Sequence, residues 1–142
     1  MRTLHCVYRV TDLDASLDFY RALGYRELGR IAGDPGTTLS VLAFPGEPVA
    51  SLVLLHRPGD GPVEVGNGFD HLLIQVHDLA AAVEGLVLAG LEPTEVQPPT
   101  RPHGPAASRV TDPDGYRIAL VEWPAGHPAG ITVEDLATPD AS

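Results

Sequence analysis

At 142 residues and 44% hydrophobic side chains, the chain has the length and apolar content of one ordinary domain. Its formal net charge of −10 leaves no Lys/Arg patch of the kind that phosphate backbones or anionic membranes attract, so neither a nucleic acid nor a membrane is an expected partner. The single Cys6 excludes an internal disulfide, no apolar run approaches the roughly 20 residues that span a bilayer, and a signal-peptide pattern is missing; the expectation is a cytoplasmic protein.

Residues 5–9 alternate, so His5, Val7 and Arg9 share one strand face. Helical spacing follows: Leu13, Leu17, Tyr20 and Leu23 form one stripe, Thr11 is the expected N-cap with Asp14 three residues on, and Gly24 is the stop. Residues 25–31, 37–44 and 50–57 read as strands, separated by turns at Gly33-Asp34-Pro35-Gly36 and Pro45-Gly46-Glu47-Pro48. Residues 58–67 are polar and Gly-rich, which suits a linker. A strand then begins at Phe69 and a helix at Asp78, with Leu79, Val83, Leu86 and Ala89 as its stripe and Gly90 as its stop. A short strand is expected over 92–96, a proline-rich connection over 97–105, a strand over 108–111, a turn at Asp112-Pro113-Asp114-Gly115 and a last strand over 116–123. From Pro124 the chain reads as a tail with one short helical turn at 133–136, packed peripherally or frayed.

Residues 5–24 are nearly repeated at 71–90: an offset of 66 carries His5 onto His71, Val10 onto Val76, Asp12 onto Asp78, Leu13 onto Leu79, Ala15 onto Ala81 and Gly24 onto Gly90. Both copies switch from period 2 to period 3.6 at the same point. The organisation expected is a first module over 1–57, a linker over 58–67, a second module over 68–123 and a tail over 124–142. Each module alone, at about 60 residues, would be marginal, so the two are expected to pack together or to pair across a dimer.

The duplication also selects the chemistry. A lone strand histidine is more often structural than functional, but His5 and His71 at equivalent positions are expected to meet on a shared concave surface. Neutral imidazoles ligate metals, and a catalytic zinc or nickel site takes three or four protein groups. Alternation sets Leu55 and Arg57 with Val53, and Leu73 and Gln75 with His71, as candidate ligand contacts. The last strands align at the same offset, Val53 with Ala119, and neither can bind a metal.

The run Met1-Arg2-Thr3-Leu4-His5, Arg9-Val10 before Asp12-Leu13, Asp18-Phe19-Tyr20, Leu23-Gly24, Gly68-Phe69-Asp70-His71 and the end motif Asp112-Pro113-Asp114-Gly115-Tyr116-Arg117-Ile118 resemble the vicinal oxygen chelate superfamily, and within it glyoxalase I. The resemblance implies an α+β fold of two βαβββ modules forming a cupped mixed sheet around a small-molecule cavity, usually in a homodimer. It also implies a metal set of His or Gln, Glu, His and Glu. Carried over, the histidines match His5 and His71, while the two Glu positions fall on Val53 and Ala119, with Leu54 as the alternative register at the first. Arg9 matches an arginine that meets a glutathione carboxylate, whereas other glutathione contacts fall on Arg57 and Asn67 in place of Asn and Arg.

Two functions follow with nearly equal weight. One is glyoxalase-type lyase or isomerase chemistry, altered or lost, with His5 and His71 as acid and base or as ligands of nickel or zinc, and an anionic ligand met by Arg9 and Arg57. The other is metal-free binding of a small molecule, of the bleomycin-resistance type, in a pocket widened by Val53 and Ala119. A third reading makes both histidines structural.

Overall fold

The computed structural model describes residues 1–137, which form two compact units: residues 1–69 with 112–116, and residues 70–111 with those from 117 onward. Both combine helix with a sheet of mixed strand direction, the α+β class that the two periods predict.

Unit 1 runs β1 (Cys6–Arg9), α1 (Leu13–Leu23), β2 (Arg26–Ala32), β3 (Thr38–Ala43) and β4 (Leu52–His56). The sheet order is β1-β4-β3-β2, with β1 parallel to β4 and the other pairs antiparallel. Leu13, Leu17 and Tyr20 are the buried stripe of α1, which packs on β4, where Leu52 and Leu54 are fully buried. Each such leucine contributes about 1.5–3 kcal/mol.

The N-cap of α1 is Asp12 rather than the expected Thr11. The Asp12 carboxylate accepts the Ala15 N–H at 3.1 Å, three residues into the helix, which a shorter side chain one residue earlier does not match. Thr11 instead accepts the Val63 N–H through its hydroxyl at 2.8 Å. At the other end Gly24, with φ 111°, donates to Arg21 O while Tyr25 N–H donates to Tyr20 O, the paired bonds of a Schellman stop.

All four tyrosines and all three phenylalanines of the chain lie in unit 1. Tyr8 donates to the Tyr20 hydroxyl, and Tyr20 donates to Asp112 Oδ2 at 2.8 Å. Asp112 Oδ1 accepts the Asp114 and Tyr116 N–H groups at 2.9 and 2.8 Å. Tyr116 OH in turn donates to Arg9 O at 2.9 Å, and Thr11 N–H to Asp114 Oδ2 at 3.0 Å. Burial pushes the Tyr8 and Tyr20 hydroxyls far above the usual phenol range and raises the Asp112 carboxyl despite its donors.

Unit 2 runs β5 (Leu72–Gln75), α2 (Leu79–Leu88), β6 (Ala106–Thr111), β7 (Arg117–Glu122) and α3 (Val133–Ala137), in sheet order β5-β7-β6. α2 packs on β6 and β7. Its ends repeat those of α1: Asp78 accepts the Ala81 N–H at 3.0 Å, and beyond the helix Gly90 and Leu91 donate to Val87 O and Leu86 O.

The strand expected over 92–96 does not form. Thr94 N–H reaches Arg109 O at 2.8 Å and Gln97 makes one bridge to Ala107, while Pro93 and Pro98 have no N–H to continue a ladder. Side chains replace the missing rungs: Arg109 N–H donates to Thr94 Oγ1 at 2.9 Å, and Ser108 Oγ to Thr94 O at 2.6 Å. The expected helical turn in the tail is α3, and the part of the tail from 138 to 142 lies outside the described residues. No helix among the described residues is long and apolar enough to cross a membrane.

Candidate ligand-binding faces

Each sheet has one face against its helix and one opposite it. In unit 1 the ladder sets Val7 beside Val53 and Arg9 beside Leu55, while Leu52 and Leu54 face the helix. His5 lies one residue before β1 and is exposed. Val53 is only 4% exposed, and its register partners Val7 and Val41 make that row hydrocarbon throughout.

Both candidate arginines of this unit are engaged by the 58–67 loop. Arg9 donates to Gly61 O and Pro62 O at 2.8 and 3.3 Å, and Arg57 pairs with Asp60 at 3.0 Å. These bonds orient the Arg9 guanidinium and use two of its five N–H donors among the described residues.

In unit 2, Leu73, Ala119 and Arg109 form one row across the sheet, and Gln75, Val121 and Ala107 the next. Ala119 is 4% exposed, whereas Leu73 and Gln75 are exposed, and Gln75 Oε1 accepts the Gly130 N–H at 2.9 Å. Arg117 Nε donates to Asp70 O at 2.7 Å. Glu122 has the opposite parity and accepts the Leu79 N–H at the start of α2, at 2.9 Å, so it belongs to the helix side. His56, in register with Thr38, likewise shares parity with Leu52 and Leu54.

His71 precedes β5. Its Nδ1 is 2.6 Å from Asp70 Oδ2, and this hydrogen bond holds the Asp70 carboxyl below its ordinary range. In a neutral ring whose Nδ1–H is donated to the carboxylate, Nε2 carries the lone pair, an arrangement that suits a general base or a metal ligand.

Arg109 is the residue that the sequence reading passed over. It is exposed, its guanidinium makes no ion pair among the described residues, and it borders a cavity of about 700 Å³ walled by Pro98, Pro99, Pro105 and Thr100. The signal was available, since the turn at 112–115 pairs Arg109 directly with Ala119.

At the positions that the resemblance gives to metal ligands, His5 and His71 each lie one residue before a strand, and Val53 and Ala119 offer only hydrocarbon. No group of three His, Cys, Asp or Glu side chains converges among the described residues. The donor set falls short of the three or four protein ligands that a zinc or nickel ion takes.

A family model described as Glyoxalase/Bleomycin resistance protein/Dioxygenase superfamily matches residues 2–120. A lactoylglutathione lyase of Haemophilus influenzae is 35% identical over 126 residues, 86% of this chain and 93% of that one. Among solved structures, glyoxalase I of Zea mays superposes with a TM-score of 0.75 at 30% identity, covering 84% of this chain but 44% of the maize chain, so this chain spans less than half of that protein. A glyoxalase I of Leishmania major gives 0.71 at 27% identity, covering 86% of each chain.

Proposed function

This chain belongs to the glyoxalase/bleomycin resistance protein/dioxygenase superfamily, and from that premise we propose that it binds a small, anionic metabolite, with metal-dependent lyase or isomerase chemistry altered or lost. The observation that carries the proposal is hydrocarbon at Val53 and Ala119, in register on their sheets, where the family resemblance sets carboxylates. Moving a proton between adjacent carbons through an enediolate needs a positioned base and an electrophile at the oxyanion. Neither side chain can be that base or hold a cation.

What the residues can do is bind and orient. On the unit 2 sheet Arg109 suits a carboxylate, as on the unit 1 sheet do the remaining donors of Arg9, and His71, oriented by Asp70, can accept a proton at Nε2 without a metal when its ring is neutral. The protein is proposed to act in the cytoplasm as a homodimer, to which exposed Val7 and Ile31 on the unit 1 sheet would contribute.

The test is elemental analysis of untagged protein re-equilibrated with nickel or zinc, together with isomerisation of the methylglyoxal–glutathione hemithioacetal. The expected outcome is less than stoichiometric metal and a rate at least about 100-fold below that of the Haemophilus influenzae relative. Stoichiometric metal that disappears in His71→Ala, with a normal rate, would overturn the proposal.

A second reading, sequestration without turnover, is favoured by the same dry Val53 and Ala119. It predicts chelator-insensitive binding of an unreacted aromatic carboxylate, whereas an enzyme would show pH-dependent turnover lost in His71→Ala.

A further inference from the structure

Beyond β7 the chain folds back on unit 2. The His127 ring lies parallel to the Trp123 indole, centroids 4.1 Å apart and planes within 7°. His127 Nδ1 is 2.6 Å from Pro128 O, and Nε2 is 2.9 and 3.1 Å from the two Asp135 oxygens. A carbonyl and a carboxylate can only accept, so both ring nitrogens must carry protons for both bonds to form. The imidazolium is then also a cation on an aromatic face.

Asp135 is itself fixed. It accepts the Thr132 N–H at 2.7 Å, and its own N–H donates to Thr132 Oγ1 at 3.3 Å, the reciprocal bonds of a capping box at the start of α3. Between these anchors Gly130 N–H occupies Gln75 Oε1. Gln75 stands in the row of Val121 and Trp123 directly follows β7, so through the Gly130 bond the segment meets the face of the sheet that carries Gln75. A cavity of about 370 Å³ lies beside it at the end of β7, lined by Gln75, His77, Glu122, Trp123, Gly126 and His127.

We propose that residues 124–137 form a protonation-controlled strap over this face: latched through the doubly bonded His127, it occupies the Gln75 carboxamide and covers Trp123, and deprotonation of His127 releases both. The charged groups around His127 are Asp135 on α3, Arg101 from the proline-rich connection, and Glu122 and His77 across the cavity. The Asp135 hydrogen bond dominates and raises the His127 pKa above its ordinary 6.5, with burial and, less, Arg101 opposing. A raised histidine holds the latched state fully below its unfolded value and loses it as pH climbs through the folded one. Gln75 is one of the proposed ligand contacts, so the consequence for ligand binding rests on the proposed function. The strap itself does not.

Trp123 is the chain's only tryptophan, so its emission reports the latch directly. Without any ligand, a titration from about pH 5 to about pH 9 should show one rise in emission as quenching by the imidazolium ends. Its midpoint should lie above 6.5 and coincide with loss of hydrogen-exchange protection at Gly130 and Thr132, corrected for intrinsic exchange. Asp135→Asn should move the midpoint down, and His127→Gln should abolish the transition and leave both amides unprotected at every pH. Flat emission in the native chain, or an unchanged transition in either variant, would overturn the strap.

Discussion

At the scale of single residues, Asp112 gathers more of unit 1 than any side chain first singled out for chemistry. It is 5% exposed, and its two oxygens take the Tyr20 hydroxyl and the N–H groups of Asp114 and Tyr116. Asp112→Ala orphans all three donors and should cost about 2–4 kcal/mol in urea unfolding, whereas Asp112→Asn, which keeps an acceptor for the two N–H groups, should cost about 1 kcal/mol or less. Burial raises the Asp112 pKa, so its carboxyl favours the fold below the unfolded value and loses that contribution as pH rises through the folded one. The native chain should therefore gain stability relative to the Asn variant as the solution is acidified through that window. The turn motif was legible as a register marker; its acceptor role was not, because Tyr20 is 92 positions away and no period connects the two. The candidate site divides likewise. Alternation and the repeat offset gave the positions of Val53 and Ala119, but the carbonyl partners of Arg9 and the Asp70 clamp on His71 are local geometry without a sequence period.

At the scale of elements, the repeat carried most of the information, since it fixed both helices, both stops and the strand before each. Gly24 and Gly90 lie in the left-handed region at φ 111° and 86°, which only glycine adopts without strain. Gly24→Ala should destabilise by about 1–2 kcal/mol on thermal or urea unfolding. A Cβ there would meet Phe44 at 3.5 Å, an ordinary contact, so the backbone rather than crowding sets the cost. A variant as stable as the native chain would remove that account. Two readings failed where local chemistry outweighed period. Asp12 outcompeted Thr11 as a cap by reach and charge, and Pro93 with Pro98 interrupted a strand that hydrophobicity alone allowed.

At the scale of the whole molecule, the units are not successive lengths of chain. Residues 112–116 belong to unit 1, although 42 positions, 70 to 111, separate them from its remainder. The compact units therefore do not follow the repeat in the sequence, since unit 1 takes residues 112–116 from within the second copy's module. A fragment ending at Phe69 would retain α1 and the four strands of its sheet yet lack the acceptor for Tyr20 OH and the donor to Arg9 O. Such a fragment should fail to unfold cooperatively, as judged by near-ultraviolet dichroism of its tyrosines. Adding the remaining residues as a separate chain should restore the signal.

The same interleaving bears on how the protein is born. On a ribosome the aromatic core of unit 1 emerges early, but Asp112 and Tyr116 follow only after most of the second repeat has been synthesised. Until then the linked hydroxyls of Tyr8 and Tyr20 have no carboxylate to end on, and water must serve. The first half of the nascent chain is thus held unfinished until the second half arrives, so a stalled or prematurely terminated chain would expose its aromatic residues to the folding and disposal machinery.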